Sequence, residues 1–173
     1  MKKFLKENYI YLIIIVLVIL IKIFVITPVR VNGSSMEPTL EEGDIMLLNK
    51  LSYKFGDVKR FDIIVIRDDD DDEDIIKRVI GLPGERIEYK DNILYVNGKK
   101  VDEKFTKEYS DELNDYSIDN LESETIPEDY YFVLGDNRPK SKDSTELGFI
   151  HKDKIKGKAS FTIFPFSRFG SKK

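Results

Sequence analysis

The chain has 173 residues, a net charge of −4, one histidine and no cysteine. These counts exclude a disulfide framework, thiol chemistry and a multi-histidine metal centre, and leave room for one domain with its own core. Four lysines and one glutamate fall in residues 1–27, so the remainder carries −7, which argues against a nucleic-acid partner because phosphate binding needs a basic footprint.

The first predicted element is a membrane span. Tyr9–Thr27 reads YIYLIIIVLVILIKIFVIT, 19 residues broken only by Lys22. As a helix it would rise about 28 Å, close to the hydrocarbon thickness of a bilayer. Lys22 sits near the far end, where its stem can snorkel to the interface. Tyr9 and Tyr11 sit at the near end, where aromatic rings favour the headgroup level. Lys2, Lys3 and Lys6 precede the span, so the positive-inside rule puts the N-terminus in the cytoplasm. A cleaved secretory leader would have a shorter apolar run and a small-residue cleavage site. Residues 1–27 are therefore expected to be a cytoplasmic stub and transmembrane anchor of a single-pass cell-membrane protein. Residues 28–173 are expected to be an extracytoplasmic domain.

After Pro28 the chain changes to short β-type runs punctuated by glycine. Strands are predicted over residues 44–48, 61–66, 75–80, 86–89, 93–96, 129–134 and 158–164. Asn97-Gly98, followed by Lys99-Lys-Val101, is a hairpin signal, since that pair tolerates the positive φ of a type I′ turn. No long helical period follows the anchor, so the fold class is mostly β, an antiparallel sheet behind one N-terminal transmembrane helix. Asp68–Asp74, DDDDDED, reads as a solvated loop, because it lacks the glycine and spacing of a calcium loop. The acidic stretch 105–127 reads as a surface insertion. No cofactor or metal is expected.

Three segments carry residues suited to chemistry. Ser35 lies in Val31-Asn-Gly-Ser-Ser-Met-Glu-Pro-Thr-Leu40, just after a turn-forming triplet. There a hydroxyl can be exposed while the residue's own N–H points into the same space, as an oxyanion donor must. A serine needs a base to become a nucleophile. Lys77, in Ile75-Ile-Lys-Arg-Val-Ile80, has Ile75 and Val79 on its face of a strand. A lysine so surrounded loses hydration and with it part of its affinity for a proton. The third segment is Gly135-Asp-Asn-Arg-Pro-Lys-Ser-Lys-Asp-Ser-Thr-Glu-Leu-Gly148, a polar loop leaving a core strand. Alone, each has an ordinary reading: a polar turn, an edge-strand lysine and a surface loop. A Ser-His-Asp site would have to use His151, which lies among Lys152, Asp153 and Lys154, and no Gly-x-Ser-x-Gly elbow is present. An anchored β-domain that only binds an export partner is the non-enzymatic alternative.

The three segments, in this order behind an anchor, resemble a bacterial type I signal peptidase of the Gram-positive kind. The likeness extends to Gly43-Asp-Ile-Met-Leu-Leu-Asn-Lys50, Arg60-Phe-Asp-Ile-Ile64, Gly157-Lys-Ala159 and Phe164-Pro-Phe166. The resemblance implies a serine endopeptidase that removes signal peptides from exported preproteins with small residues at P1 and P3. Ser35 would be the nucleophile and Lys77 the general base. Ser141 would hydrogen-bond the lysine, and Asp143 and Arg78 would form an ion pair behind the site. Val31, Met36, Leu40 and Ile76 would line the substrate pockets. Two positions depart from the pattern. Gly33 stands where some members have a hydroxyl that completes the oxyanion hole, and Thr145 stands where an arginine is usual.

Overall fold

A computed structural model describes residues 2–68, 73–105, 116–121 and 123–172. It opens with helix α1 (Lys2–Phe24), whose apolar side chains from Ile10 to Leu20 are exposed. Among the described residues, no helix is long and apolar enough to cross a membrane. The helix stops short of the expected Thr27, because a residue preceding proline is pushed towards extended backbone. Ile26 and Thr27 instead open strand β1 (Ile26–Arg30). β1 is an edge strand, the place where a proline such as Pro28 is tolerated in a sheet.

The remaining strands are β2 (Ile45–Asn49), β3 (Ile63–Asp68), β4 (Glu73–Gly81), β5 (Ile87–Lys90), β6 (Ile93–Val96), β7 (Lys99–Val101), β8 (Tyr116–Ser117), β9 (Tyr130–Leu134), β10 (Ile150–His151), β11 (Ile155–Phe164) and β12 (Gly170–Ser171). They form two antiparallel sheets. The larger has the order β1-β2-β11-β3-β4-β9-β10, with β12 paired to β11, and the smaller has the order β7-β6-β5-β8. In β3 the unbroken apolar run Ile63–Ile66 is wholly buried, because both faces of the sheet are covered. Ile63 and Val65 pack with Met46, Leu48 and Ala159 on one side, while Ile64 and Ile66 pack with Val79, Val133 and Ile150 on the other. Each such side chain contributes about 1.5–3 kcal/mol relative to exposure. A third cluster joins the small sheet, through Ile87, Tyr89 and Leu94, to Phe132 and Leu134 of β9. Asn97 and Gly98 have φ of 51° and 74° and join β6 to β7, as their sequence demands.

Two loop expectations change. Asp68 pairs in register with Glu73, and Arg67 with Asp74, so the β3–β4 hairpin extends into the acidic run; residues 69–72 lie outside the described residues. Asp68 is buried and receives a hydrogen bond from Lys142 at 2.9 Å. At the far end of the expected insertion, Ile118 and Ile126 belong to the third cluster, and at its near end Phe105 packs against it. Apolar residues spaced within an acidic stretch mark where the segment returns to the core. Residues 106–115 lie outside the described residues.

Candidate active site

β4 carries Lys77 and Arg78 in the middle of the large sheet. Lys77 pairs in register with Ile64 of β3, so its Cβ shares a face with that isoleucine and with Ile75 and Val79. The side chain is only 3 % exposed. Its amine lies 2.8 Å from the Ser35 hydroxyl, 42 residues away in sequence. Burial lowers the Lys77 pKa to about 8, against the opposing pull of the Asp143, Asp136 and Asp68 carboxylates. A fraction of the amine is therefore neutral near physiological pH, which is the state a proton acceptor needs.

The loop between β1 and β2 presents Ser35, which is partly exposed. Its stem is closed by Val31 N–H donating to the Asp44 carbonyl at 2.8 Å and Gly43 N–H donating to the Val31 carbonyl at 2.9 Å. Asp44, fully buried, also accepts from Arg168 Nε at 3.0 Å and Nη2 at 2.5 Å, and Arg168 pairs with Glu41 as well. Val31, Met36, Leu40 and Ile76 come together in one buried cluster beneath this loop. Three come from the Val31–Leu40 segment and Ile76 from β4, and the structure makes them neighbours.

The segment after β9 braces the Ser35 loop. Asn137 N–H donates to the Ser35 carbonyl at 3.0 Å, and Asn137 Nδ2 donates to the Ser34 carbonyl at 3.0 Å. Gly135 sits so close that a Cβ there would collide with the Ser35 carbonyl oxygen and with Ser141 Oγ. Arg138, also buried, donates to the Gly135 carbonyl at 2.9 Å, to Tyr89 Oη at 3.0 Å and to Glu103 at 2.5 Å. The small sheet thus holds this segment from behind.

The supporting pairs differ from expectation. Arg78 is paired with Asp136, not Asp143: Nε to Oδ1 at 2.7 Å and Nη2 to Oδ2 at 2.6 Å, with both side chains almost fully buried. Register accounts for this, because Arg78 lies opposite Leu134 on β9, two residues before Asp136. Asp143 instead caps the short helix α2 (Ser144–Leu147), accepting from Thr145 N–H at 3.2 Å, Thr145 Oγ1 at 2.9 Å and Gly135 N–H at 3.0 Å. Thr145 therefore satisfies the carboxylate locally, where an arginine would reach it by charge. Ser141 lies against Gly135 near the Ser35 carbonyl but does not bond Lys77; its Oγ is buried with no hydrogen-bond partner among the described residues. His151 is half-exposed, edge-on to Tyr130 and near Asp153.

Asp136 and Asn137 are the residues that sequence reading missed. Their signal was present, a Gly-Asp-Asn triplet immediately after a core strand, but nothing in sequence chooses between two acids of one loop as the partner of one arginine.

Comparison with known proteins matches residues 2–164 to the family described as signal peptidase, peptidase S26. A protein named signal peptidase I from Bacillus caldolyticus is 46 % identical over 156 residues, covering 86 % of this chain and 85 % of its own. A signal peptidase IB from Staphylococcus aureus is 41 % identical over 157 residues, covering 84 % of this chain and 82 % of its own. The crystal structure of a signal peptidase I from Enterococcus faecalis superposes with a TM-score of 0.56 at 38 % identity, covering 59 % of this chain and 96 % of that one.

Proposed function

The chain belongs to the signal peptidase I family of serine peptidases, and from that premise we propose that Ser35 is its nucleophile and Lys77 its general base. The observation that carries the proposal is the 2.8 Å contact between a partly exposed hydroxyl and a buried amine whose pKa falls to about 8. Neutral Lys77 takes the Ser35 proton as Oγ attacks the scissile carbonyl. The resulting alkoxide collapses, the leaving amine departs with a proton from Lys77, and an acyl-enzyme remains. Lys77 then takes a proton from water as it attacks the ester and passes that proton to Ser35 Oγ as the acyl group leaves, which restores the neutral amine and the free hydroxyl.

The substrates are exported preproteins, cut after their signal peptides. Val31, Met36, Leu40 and Ile76 pack in one buried cluster at the Ser35 loop, and small side chains at P1 and P3 are the ones that would seat against it without displacing packed residues. An extended peptide would lie along backbone near Ser35 and Lys77. Exposed apolar side chains along α1 and three lysines before Tyr9 support a single-pass anchor with a cytoplasmic N-terminus and the β domain outside. Tethering there raises the effective concentration of membrane-borne substrate. The test is cleavage of a preprotein by the full chain in detergent. Ser35→Ala and Lys77→Ala should each abolish it with the fold retained; full activity in either would sink the dyad.

A further inference from the structure

The Gly33 position supplies no side-chain donor to an oxyanion, so the Ser35 N–H must carry that duty, and its direction matters. Among the described residues this N–H makes no hydrogen bond. It belongs to the peptide plane that also contains the Ser34 carbonyl. In a trans peptide the N–H and C=O are fixed antiparallel, so whatever holds the Ser34 oxygen also aims the Ser35 N–H. That oxygen accepts from Asn137 Nδ2 at 3.0 Å and, within its own turn, from Glu37 N–H at 3.2 Å, so the asparagine is the group that ties it to the segment after β9. The next plane, 35–36, is held at its own oxygen by Asn137 N–H, also at 3.0 Å. One asparagine therefore ties the planes on both sides of the nucleophile's Cα to the segment after β9, with the local Glu37 N–H as the second donor to the first of them.

Asn137 is itself immobilised from both sides. Asp136 is locked to Arg78, and Arg138 to Glu103, Tyr89 and the Gly135 carbonyl. The asparagine is only 1 % exposed, so its amide has no solvent with which to exchange its bond to Ser34.

We propose that Asn137 is a positioning residue that sets the oxyanion donor, its side-chain amide turning the Ser34–Ser35 peptide so that the Ser35 N–H faces the carbonyl oxygen of the scissile bond. This rests on Ser35 being the nucleophile. The side chain touches no reacting atom; it acts by fixing a donor before substrate arrives.

The experiment uses the full chain in detergent with a peptide aldehyde bearing Ala at P1 and P3, and the corresponding peptide alcohol. Ser35 Oγ adds to the aldehyde carbon, the C=O π bond becomes an alkoxide and the hydroxyl proton passes to Lys77, so the adduct carries the oxyanion. The alcohol cannot form it. For Asn137→Ala, kcat should fall about tenfold to a hundredfold with KM within about twofold, somewhat less than for outright loss of an oxyanion donor. Aldehyde affinity should fall by the same factor and alcohol affinity should stay unchanged. Asn137→Asp keeps the shape but places an acceptor against the Ser34 oxygen, and should behave alike; it decides the matter if the alanine variant does not fold. Equal weakening of alcohol and aldehyde, or an unchanged aldehyde affinity, would overturn the proposal. Aldehyde binding to Ser35→Ala as tightly as to the unaltered chain would instead remove Ser35 as nucleophile, and the proposal with it.

Discussion

Arg78 and Asp136 meet through two parallel hydrogen bonds of 2.7 and 2.6 Å, buried between the sheet strand that bears the proposed base and the loop that grips the proposed nucleophile. Phe105 lies under the guanidinium, 3.9 Å from its carbon to the ring centre. Removing either partner leaves a lone buried charge, which costs about 3–5 kcal/mol. Asp136→Ala and Arg78→Ala should each lower chemical-denaturation stability by that order. Arg78→Lys should rescue little, because a point charge cannot reproduce the fork. A loss below 1 kcal/mol would show that the pair is not a brace.

The Lys77 amine sets a pH dependence of definite sign. With a pKa of about 8 in the folded protein, kcat/KM should fall about tenfold per unit below that value and level off above it. Asp143 is the largest of the carboxylate influences that oppose the effect of burial, so Asp143→Asn should move the midpoint down. A pH–rate profile on a peptide substrate reads both. Stability follows the same group: between about 8 and the unfolded value of 10.5 the unfolded chain holds the extra proton, so stability rises with pH across that window. Denaturation of the unaltered chain beside Lys77→Met should show a difference changing on the order of 3 kcal/mol across it.

Gly135→Ala tests the close approach of the bracing loop. The added methyl would drive into the Ser35 carbonyl oxygen and Ser141 Oγ. Overpacking of this kind costs about 1–3 kcal/mol, and here it falls on the backbone of the proposed nucleophile. Peptide cleavage should drop by more than the loss of folded protein accounts for; unchanged kcat would contradict the tight fit.

Thr145→Val removes one hydrogen bond to Asp143 while the Gly135 and Thr145 N–H bonds remain. The expected cost is about 1 kcal/mol in unfolding, with kcat within a fewfold. A hundredfold loss of activity would mean that the threonine hydroxyl replaces the missing arginine in chemistry as well as in packing.

Much of this was legible in the chain. β2 to β7, β9 and β11 each announce themselves by period or by a flanking turn, and the side-chain alternation on β4 already placed Ile75 and Val79 beside Lys77. Ser35 and Lys77 were legible as a pair because three separate segments agreed. What stayed hidden depends on register. β8, β10 and β12 are two residues each, too short for any period, and exist because a neighbouring strand recruits them. The choice of Asp136 over Asp143 follows from where β9 lies against β4. The role of Asn137 depends on the orientation of two peptide planes, which no spacing encodes.

The order of strands in the large sheet has a consequence for how the molecule comes into being. β1 and β2, with the Ser35 loop between them, form one half; β3, β4 and β9, with Lys77, form the other; among the described strands of the sheet, only β11 joins them. Synthesis proceeds from the N-terminus at about 5–20 residues per second, so both halves are made roughly 1–6 s before the strand that unites them. A nascent chain thus carries both members of the proposed dyad before the sheet that holds them together is complete. Arrested before Ile155, it should leave a preprotein uncut, and competence should arrive abruptly once β11 is inserted.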